Sequence, residues 1–247
     1  MKTVLITGGS RGIGAATARL AARQGYAVAV NYRQDAAAAQ HVVQEIELAG
    51  GEALAVQADI SLEDDVVRLF AEVEQAFHSV TALVNNAGTL ERQSRVDQMD
   101  GARLLRIFAT NVIGSFLCAA EAVRRMSTRY GGQGGSIVNV SSRAAVLGSA
   151  GEYVDYAASK GALDTLTVGL AREVAAEGIR VNGVRPGLIE TDIHALGGEP
   201  GRVARLAETI PLGRGGSSTE VANAILWLLS DEASYVTGTH IDVSGGR

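Results

Sequence analysis

Apolar, strand-like runs alternate with helix-like runs along almost the whole of this 247-residue chain. The spacing predicts seven strands: Thr3–Thr7, Ala27–Asn31, Ala53–Ala58, Ala82–Asn85, Ser136–Val140, Arg180–Val184 and His240–Val243. Helices are expected between them, at Ala15–Arg23, Ala36–Ala49, Glu63–Phe77, Gly101–Arg125, Tyr156–Ala176 and Thr219–Leu229. Alternation of this kind builds a parallel sheet covered by helices on both faces. A doubly wound α/β fold is therefore expected, a three-layer sandwich in one domain spanning 1–247. The segment 188–218 breaks the rhythm with Pro200, Pro211 and several glycines. It follows a strand, and ligands in open α/β sheets bind beyond the carboxyl ends of strands. Long connections are usually functional, so a substrate lid is expected there.

The first strand runs into Thr7-Gly8-Gly9-Ser10-Arg11-Gly12-Ile13-Gly14 and then an Ala-rich helix. Strand, glycine turn and helix form the opening unit of a Rossmann-type dinucleotide fold. Glycines allow a tight turn and close approach of a ligand. The helix N-terminus then offers N–H groups to a pyrophosphate. The spacing is Gly-x-x-x-Gly-x-Gly rather than the commoner Gly-x-Gly-x-x-Gly.

Tyr156 and Lys160 lie four residues apart, so on a helix they share a face. A free tyrosine has a pKa near 10, which leaves about one in a thousand ionised at neutral pH. A neighbouring ammonium favours the phenolate, and a two-unit drop corresponds to roughly 2.7 kcal/mol. The expectation is that Lys160 lowers the Tyr156 pKa. The phenol then acts as acid in carbonyl reduction and as base in alcohol oxidation. Tyr153 lacks a lysine partner, because four residues on is Ala157. Val138-Asn139-Val140-Ser141-Ser142 runs off a strand end, where a serine hydroxyl can meet a substrate oxygen. Asn111 lies in an apolar helical stretch, where a buried amide needs partners. It can fix a water, fix a helix kink, or be satisfied locally.

Composition narrows the alternatives. A net charge of −5 with interspersed signs argues against nucleic-acid binding. The one cysteine, Cys118, sits in an apolar stretch and reads as a core residue. His41, His78, His194 and His240 are scattered without ligand spacing, so no metal site is expected. No signal segment and no apolar run of membrane-spanning length is recognised, and a cytoplasmic protein is expected. His194, in the lid with Glu190 and Asp192, is a candidate substrate contact.

These residues, in this order, resemble the short-chain dehydrogenase/reductase family along the whole chain. Thr7-Gly8-x-x-x-Gly12-x-Gly14 resembles its cofactor loop, and Asn85-Asn86-Ala87-Gly88 its motif after the fourth strand. Asn111, Ser142, Tyr156 and Lys160 match its catalytic four. Pro186-Gly187, with Ile189 and Thr191 following, resembles its segment beside the nicotinamide, and Val236-Thr237-Gly238 through Gly245-Gly246 its C-terminal strand. The resemblance implies that Ser142 orients the substrate oxygen, that Lys160 also binds the nicotinamide ribose, and that Asn111 holds a proton-relay water. It implies cofactor contacts at Gly8, Ser10, Arg11, Gly12, Ile13 and Gly14, and at Asp59 and Ile60 beside the adenine. One departure is that Ser142 lies one residue farther from Tyr156 than in many relatives, which lengthens the Arg143–Asp155 loop.

Where an acid reading the ribose is expected, the chain has Asn31-Tyr32-Arg33. Arg11 and Arg33 suit a 2′-phosphate, so NADP(H) is favoured over NAD(H); Asp35 is the counter-argument. The expected activity is NADP(H)-dependent oxidation or reduction of a ketone, aldehyde, sugar or secondary alcohol. One alternative is a 3-oxoacyl-carrier-protein reductase, and another is a non-catalytic NADP-binding sensor. Apolar stripes on the helices at 101–125 and from Tyr156 suggest subunit contacts, and members of this family are commonly tetramers, so a homotetramer is expected.

Overall fold

Seven parallel strands pair in the order β3-β2-β1-β4-β5-β6-β7 in the computed structural model, which describes residues 2–247. They are β1 (Lys2–Ile6), β2 (Tyr26–Tyr32), β3 (Ala53–Gln57), β4 (Ala82–Asn85), β5 (Gly135–Val140), β6 (Ile179–Pro186) and β7 (His240–Val243). The helices are α1 (Gly12–Arg23), α2 (Ala36–Leu48), α3 (Glu63–Phe77), α4 (Gly101–Phe108), α5 (Gly114–Met126), α6 (Ala144–Leu147), α7 (Val154–Val174), α8 (Ile193–Leu196), α9 (Arg202–Leu206) and α10 (Ser218–Leu229). The strand order reverses between β1 and β4, which opens a crevice beyond their carboxyl ends.

Side chains alternate across a strand, and β1 shows the consequence. Val4 and Ile6 pack with α1, α2 and α10, whereas Leu5 packs with α3, α5 and α7. Each face thus has its own apolar layer. The Ala-rich face of α1 lets that helix sit close on the sheet through Ala15, Ala18 and Ala21. Ser217 and Glu220 cap the start of α10 reciprocally, so its chain leaves the preceding loop at a set angle.

Two sequence expectations need correction. The helix foreseen at Gly101–Arg125 is interrupted by a π-turn over Ala109–Ile113, with Asn111 inside it. Gly114 follows because Ile60 lies against it; an added Cβ there would stand 2.7 Å from the Ile60 Cδ1. Counted through the turn, Gly101–Met126 is also long and apolar enough to cross a membrane by length and composition, contrary to the sequence reading. It is packed on the sheet, with Cys118, Ala122 and Met126 fully buried. Burial pushes the Cys118 thiol up to about 12, which suits a core residue and not a nucleophile.

The segment 188–218 forms α8 and α9 and returns through a parallel bridge between Ile189 and Gly216. It is tied to the rest of the chain by Arg202. That guanidinium, nearly buried, bonds Glu152 (Nη1 at 3.1 Å) and Glu199 (3.0 Å), and lies 5.2 Å from the centre of the Tyr153 ring. The Tyr153 hydroxyl donates to the Gly197 carbonyl at 3.2 Å.

The start of α7 is held by a buried ion pair. Asp155 is wholly enclosed, accepts from Arg103 Nε at 2.6 Å, and also accepts from the Tyr156 N–H at 2.9 Å. Arg103 donates in addition to the Arg92 carbonyl at 2.7 Å. Asp155→Ala would strand that guanidinium without its charge partner. We expect a loss of about 3 to 5 kcal/mol of stability, read from urea unfolding; a loss below about 1 kcal/mol would show that Arg103 finds water instead.

Candidate active site

The crevice at the strand-order reversal opens into a cavity of about 1030 Å³. Its floor is built from two loops sewn together. Thr7 Oγ1 accepts from the N–H groups of Asn86 and Ala87, both at 3.0 Å. Asn86 Nδ2 answers by donating to the carbonyls of Thr7 and Gly8, both at 2.9 Å. The glycine loop after β1 and the loop after β4 therefore hold each other in place. Gly8 and Gly12 have φ of 60° and 54°, a region that favours glycine. Gly14 faces Asn86 across the fold; an added Cβ would stand 2.6 Å from Asn86 Nδ2 and would press on the Gly8 carbonyl.

This arrangement fits a dinucleotide. The N-terminus of α1 has no side-chain cap and no acidic residue in its first turn. Its N–H groups and dipole are left for an anion, and Gly12 and Ile13 line the cavity beside it. Ser10, Arg11, Tyr32, Arg33, Asp59 and Ile60 line the same end, and Gly88, Pro186, Gly187, Ile189 and Thr191 lie farther along. Asn31 reaches the wall but its amide is committed. It accepts from the Gly8 N–H at 3.2 Å and donates to the carbonyls of Val56 and Ala58 at 3.3 and 3.1 Å. It braces the glycine loop against β3. Asp35 spends its carboxylate on the start of α2, accepting from the Ala38 N–H at 3.0 Å. Arg33 is half exposed, 3.8 Å from Asp59.

At the other end, Tyr156, Ser142 and Lys160 meet. Ser142 Oγ is fixed by the Ala144 N–H at 3.1 Å and faces the Tyr156 phenol, whose pKa it lowers. Lys160 is buried, with Nζ donating to the Val140 carbonyl at 2.8 Å and standing 5.7 Å from the centre of the Tyr156 ring. Burial pulls the Lys160 ammonium down to about 8, against the opposing charge of Asp164. Burial pushes the Tyr156 phenol up to about 12, only partly offset by the Ser142 hydroxyl. This corrects the expectation that Lys160 lowers the phenol pKa. The two residues share a helix face, but the cation is held on a backbone carbonyl and desolvation of the phenolate dominates.

Asn111 is brought near the site without facing it. It is fully buried behind the wall. Its Oδ1 accepts from the Thr89 N–H at 2.8 Å, and its Nδ2 donates to the Thr89 carbonyl and to Ser159 Oγ, both at 2.9 Å. Ser159 Oγ donates in turn to the Tyr156 carbonyl at 2.7 Å. Both amide protons are spent, so the side chain ties the π-turn to α7 and holds no water through its N–H groups. Gly14 also lies outside the cavity lining, behind the turn it permits. His194 bonds the Ile189 carbonyl at 2.9 Å, within its own loop.

Sequence reasoning missed several wall residues. Tyr153, set aside for want of a lysine partner, lines the cavity and holds Gly197. Arg143, Glu152, Arg202 and Arg247 also line it. Their sequence neighbourhoods carry no periodic signal, because loops assembled from distant segments make this end of the cavity.

A family profile described as enoyl-(acyl carrier protein) reductase matches residues 8–247. The chain is 60% identical, over all of both chains, to the protein described as uncharacterized oxidoreductase YgfF of Escherichia coli. It is 39% identical to the 3-oxoacyl-[acyl-carrier-protein] reductase FabG of Staphylococcus aureus, covering 99% of this chain and 97% of that one. The chain belongs to the short-chain dehydrogenase/reductase family. Its fold superposes on the 3-ketoacyl-(acyl-carrier-protein) reductase of Brucella melitensis complexed with NADH at a TM-score of 0.91, with 33% identity over 100% of this chain and 98% of that one. The protein is thus an oxidoreductase of a family that binds nicotinamide cofactors.

Proposed function

We propose that the protein is an NADP(H)-dependent reductase of small ketones, aldehydes or sugars, with Tyr156 as the proton donor. The observation that carries this reading is the meeting of Tyr156, Ser142 and Lys160 in the same cavity as the glycine cradle. A nicotinamide held in this cavity would supply a hydride to the substrate carbon. Ser142 orients the substrate oxygen, since its own oxygen is already fixed by Ala144. Tyr156 gives that oxygen its proton, and a phenol near 12 rests in the protonated form throughout the neutral range. In that form the phenol is the acid that a reduction requires. Lys160, its Nζ held on the Val140 carbonyl beside the phenol, is placed for its ammonium to meet the nicotinamide ribose. Asn111 acts as a positioning residue, through Ser159, on the turn of α7 that carries Tyr156.

The preference for NADP(H) rests on charge. Arg11 and Arg33 are exposed at the far end of the cavity, Arg11 with no carboxylate partner among the described residues and Arg33 with only Asp59, at 3.8 Å, while Asp35 caps α2. Guanidinium groups suit a 2′-phosphate. The segment 188–218 acts as the substrate lid, latched by Arg202 and Tyr153. An apolar groove between α5 and α7, lined by Phe116, Ala119, Leu166 and Leu170, supports assembly into a homotetramer. Enclosure of the sole cysteine is in keeping with a cytoplasmic protein.

Identity to FabG favours a second reading, reduction of a 3-oxoacyl group on a carrier protein. Against it, the basic run that ends α5 is neutralised: Arg124 and Arg125 pair with Glu121, Arg125 also with Glu74 at 2.9 Å, and Arg129 lies 4.0 Å from Glu177. Little unpaired positive charge remains there for an acidic carrier. A sensor without catalysis has no use for the Tyr156–Ser142–Lys160 grouping.

Three outcomes are expected. Tyr156→Phe should lower kcat for carbonyl reduction by at least about a thousandfold while nicotinamide-nucleotide binding, followed by fluorescence, stays nearly intact; retention of most activity would sink the mechanism. The pH profile of kcat/KM for reduction should hold a plateau at neutral pH and fall above about 8, where Lys160 loses its proton and its charge; a rate that rises through that range would contradict the role given to the ammonium. In parallel titrations NADPH should bind about tenfold or more tightly than NADH, and Arg33→Ala together with Arg11→Ala should remove most of that difference. Tighter binding of NADH would return the ribose to Asp35.

A further inference from the structure

The cavity wall carries a cation that the proposed chemistry does not employ and that has a buried nitrogen without a partner. Arg247 lines it, and the Arg247 Nη1 is buried with no hydrogen-bond partner. Every other arginine near the substrate end is engaged. Arg202 is held by Glu152 and Glu199, and Arg143 by Asp242 at 2.5 Å. No carboxylate pairs with the Arg247 guanidinium among the described residues.

Its position is set by its neighbours. Arg143, one residue beyond Ser142, donates from Nε to the main-chain oxygen of Arg247 at 2.6 Å. The Arg143 N–H in turn donates to the Pro186 carbonyl at 2.9 Å, at the end of β6. Gly245, two residues before Arg247, accepts from the Leu212 N–H at 3.1 Å, which ties the same strand end to the 188–218 segment. The Arg247 main chain therefore stands between the loop after Ser142 and the 188–218 segment, and its side chain lines the cavity.

A guanidinium N–H group shut from water without a hydrogen-bond partner is costly, and a bound anion removes that cost. Guanidinium recognises carboxylate and phosphate oxygens through paired N–H groups. We propose that Arg247 anchors an anionic group, a carboxylate or a phosphate, carried by the carbonyl substrate. Four acids line the cavity: Asp35 caps α2, Asp59 lies 3.8 Å from Arg33, Glu152 is paired with Arg202, and Asp192 lies exposed on the lid. The substrate class is then an oxo-acid or a phosphorylated ketone rather than a neutral alcohol or ketone. This inference rests on the reductase reading, so its test must not depend on turnover alone.

Binding to the NADPH-loaded protein would be measured by thermal shift with matched probes: levulinate against methyl levulinate, and dihydroxyacetone phosphate against dihydroxyacetone. We expect the anion of at least one pair to bind about tenfold or more tightly than its neutral partner. The pair that responds tells carboxylate from phosphate. Arg247→Gln keeps the main-chain oxygen that Arg143 holds and should bring the ratio close to one, whereas Arg247→Lys should retain part of it. If Arg247→Gln does not fold, the wild-type ratio and its reduction in Arg247→Lys decide the matter. Equal binding within both pairs in the wild-type protein, or a preference that persists in Arg247→Gln, would overturn the inference. Failure of the reductase reading shows differently, as anion binding that depends on Arg247 without consumption of NADPH on any of the four probes.

Discussion

The stitch between Thr7 and Asn86 is the constraint on which the rest of this structure depends. Four hydrogen bonds of 2.9 to 3.0 Å bind the loop after β1 to the loop after β4. These are the two strands between which the order of the sheet reverses. A crevice is unavoidable there, because the connections leave in opposite directions. The stitch sets its width, and the glycines keep it clear of side chains. Everything placed along the crevice takes its distances from that floor.

Burial is what makes the grouping at the substrate end chemically distinctive, and it acts on the two titratable residues in opposite ways. The phenol of Tyr156 is held protonated and the ammonium of Lys160 is weakened, each because its charged form has lost water. A simple pairing picture, with cation beside phenol, would have lowered the phenol instead. The difference arises because Lys160 Nζ is anchored on the Val140 carbonyl and not on the phenolic oxygen. Charge introduced into the cavity by ligands therefore matters more to this pair than either partner matters to the other.

The machinery that aims Tyr156 is as extensive as the group itself. Asp155 accepts the Tyr156 N–H and is locked by Arg103 from α4. Asn111, in the π-turn between α4 and α5, reaches the Tyr156 carbonyl through Ser159. Both supports come from the stretch 101–113, so one helix and the π-turn that ends it hold α7 on both sides of Tyr156. A regular helix through 101–126 would carry Asn111 to a different angle about its axis, since a residue added to one turn rotates every later residue about that axis.

The strands and most helices were legible in the sequence because parallel strands buried on both faces and helices with one apolar face leave strong local patterns. So were the glycine cradle and the Tyr156–Lys160 spacing, since both are set by short-range backbone geometry. The π-turn was not, because a single extra residue per turn hardly disturbs an apolar periodicity. Nor were the commitments of Asn31 and Asn111, whose partners lie elsewhere in the chain. The latch made by Arg202, Glu152 and Tyr153, and the unpaired Arg247 on the cavity wall, exist only once loops far apart in sequence are brought to one sheet edge. Local sequence determined which chemistry this chain can carry out; tertiary burial and long-range pairing decided the protonation states, the shape of the substrate end and the charge left free within it.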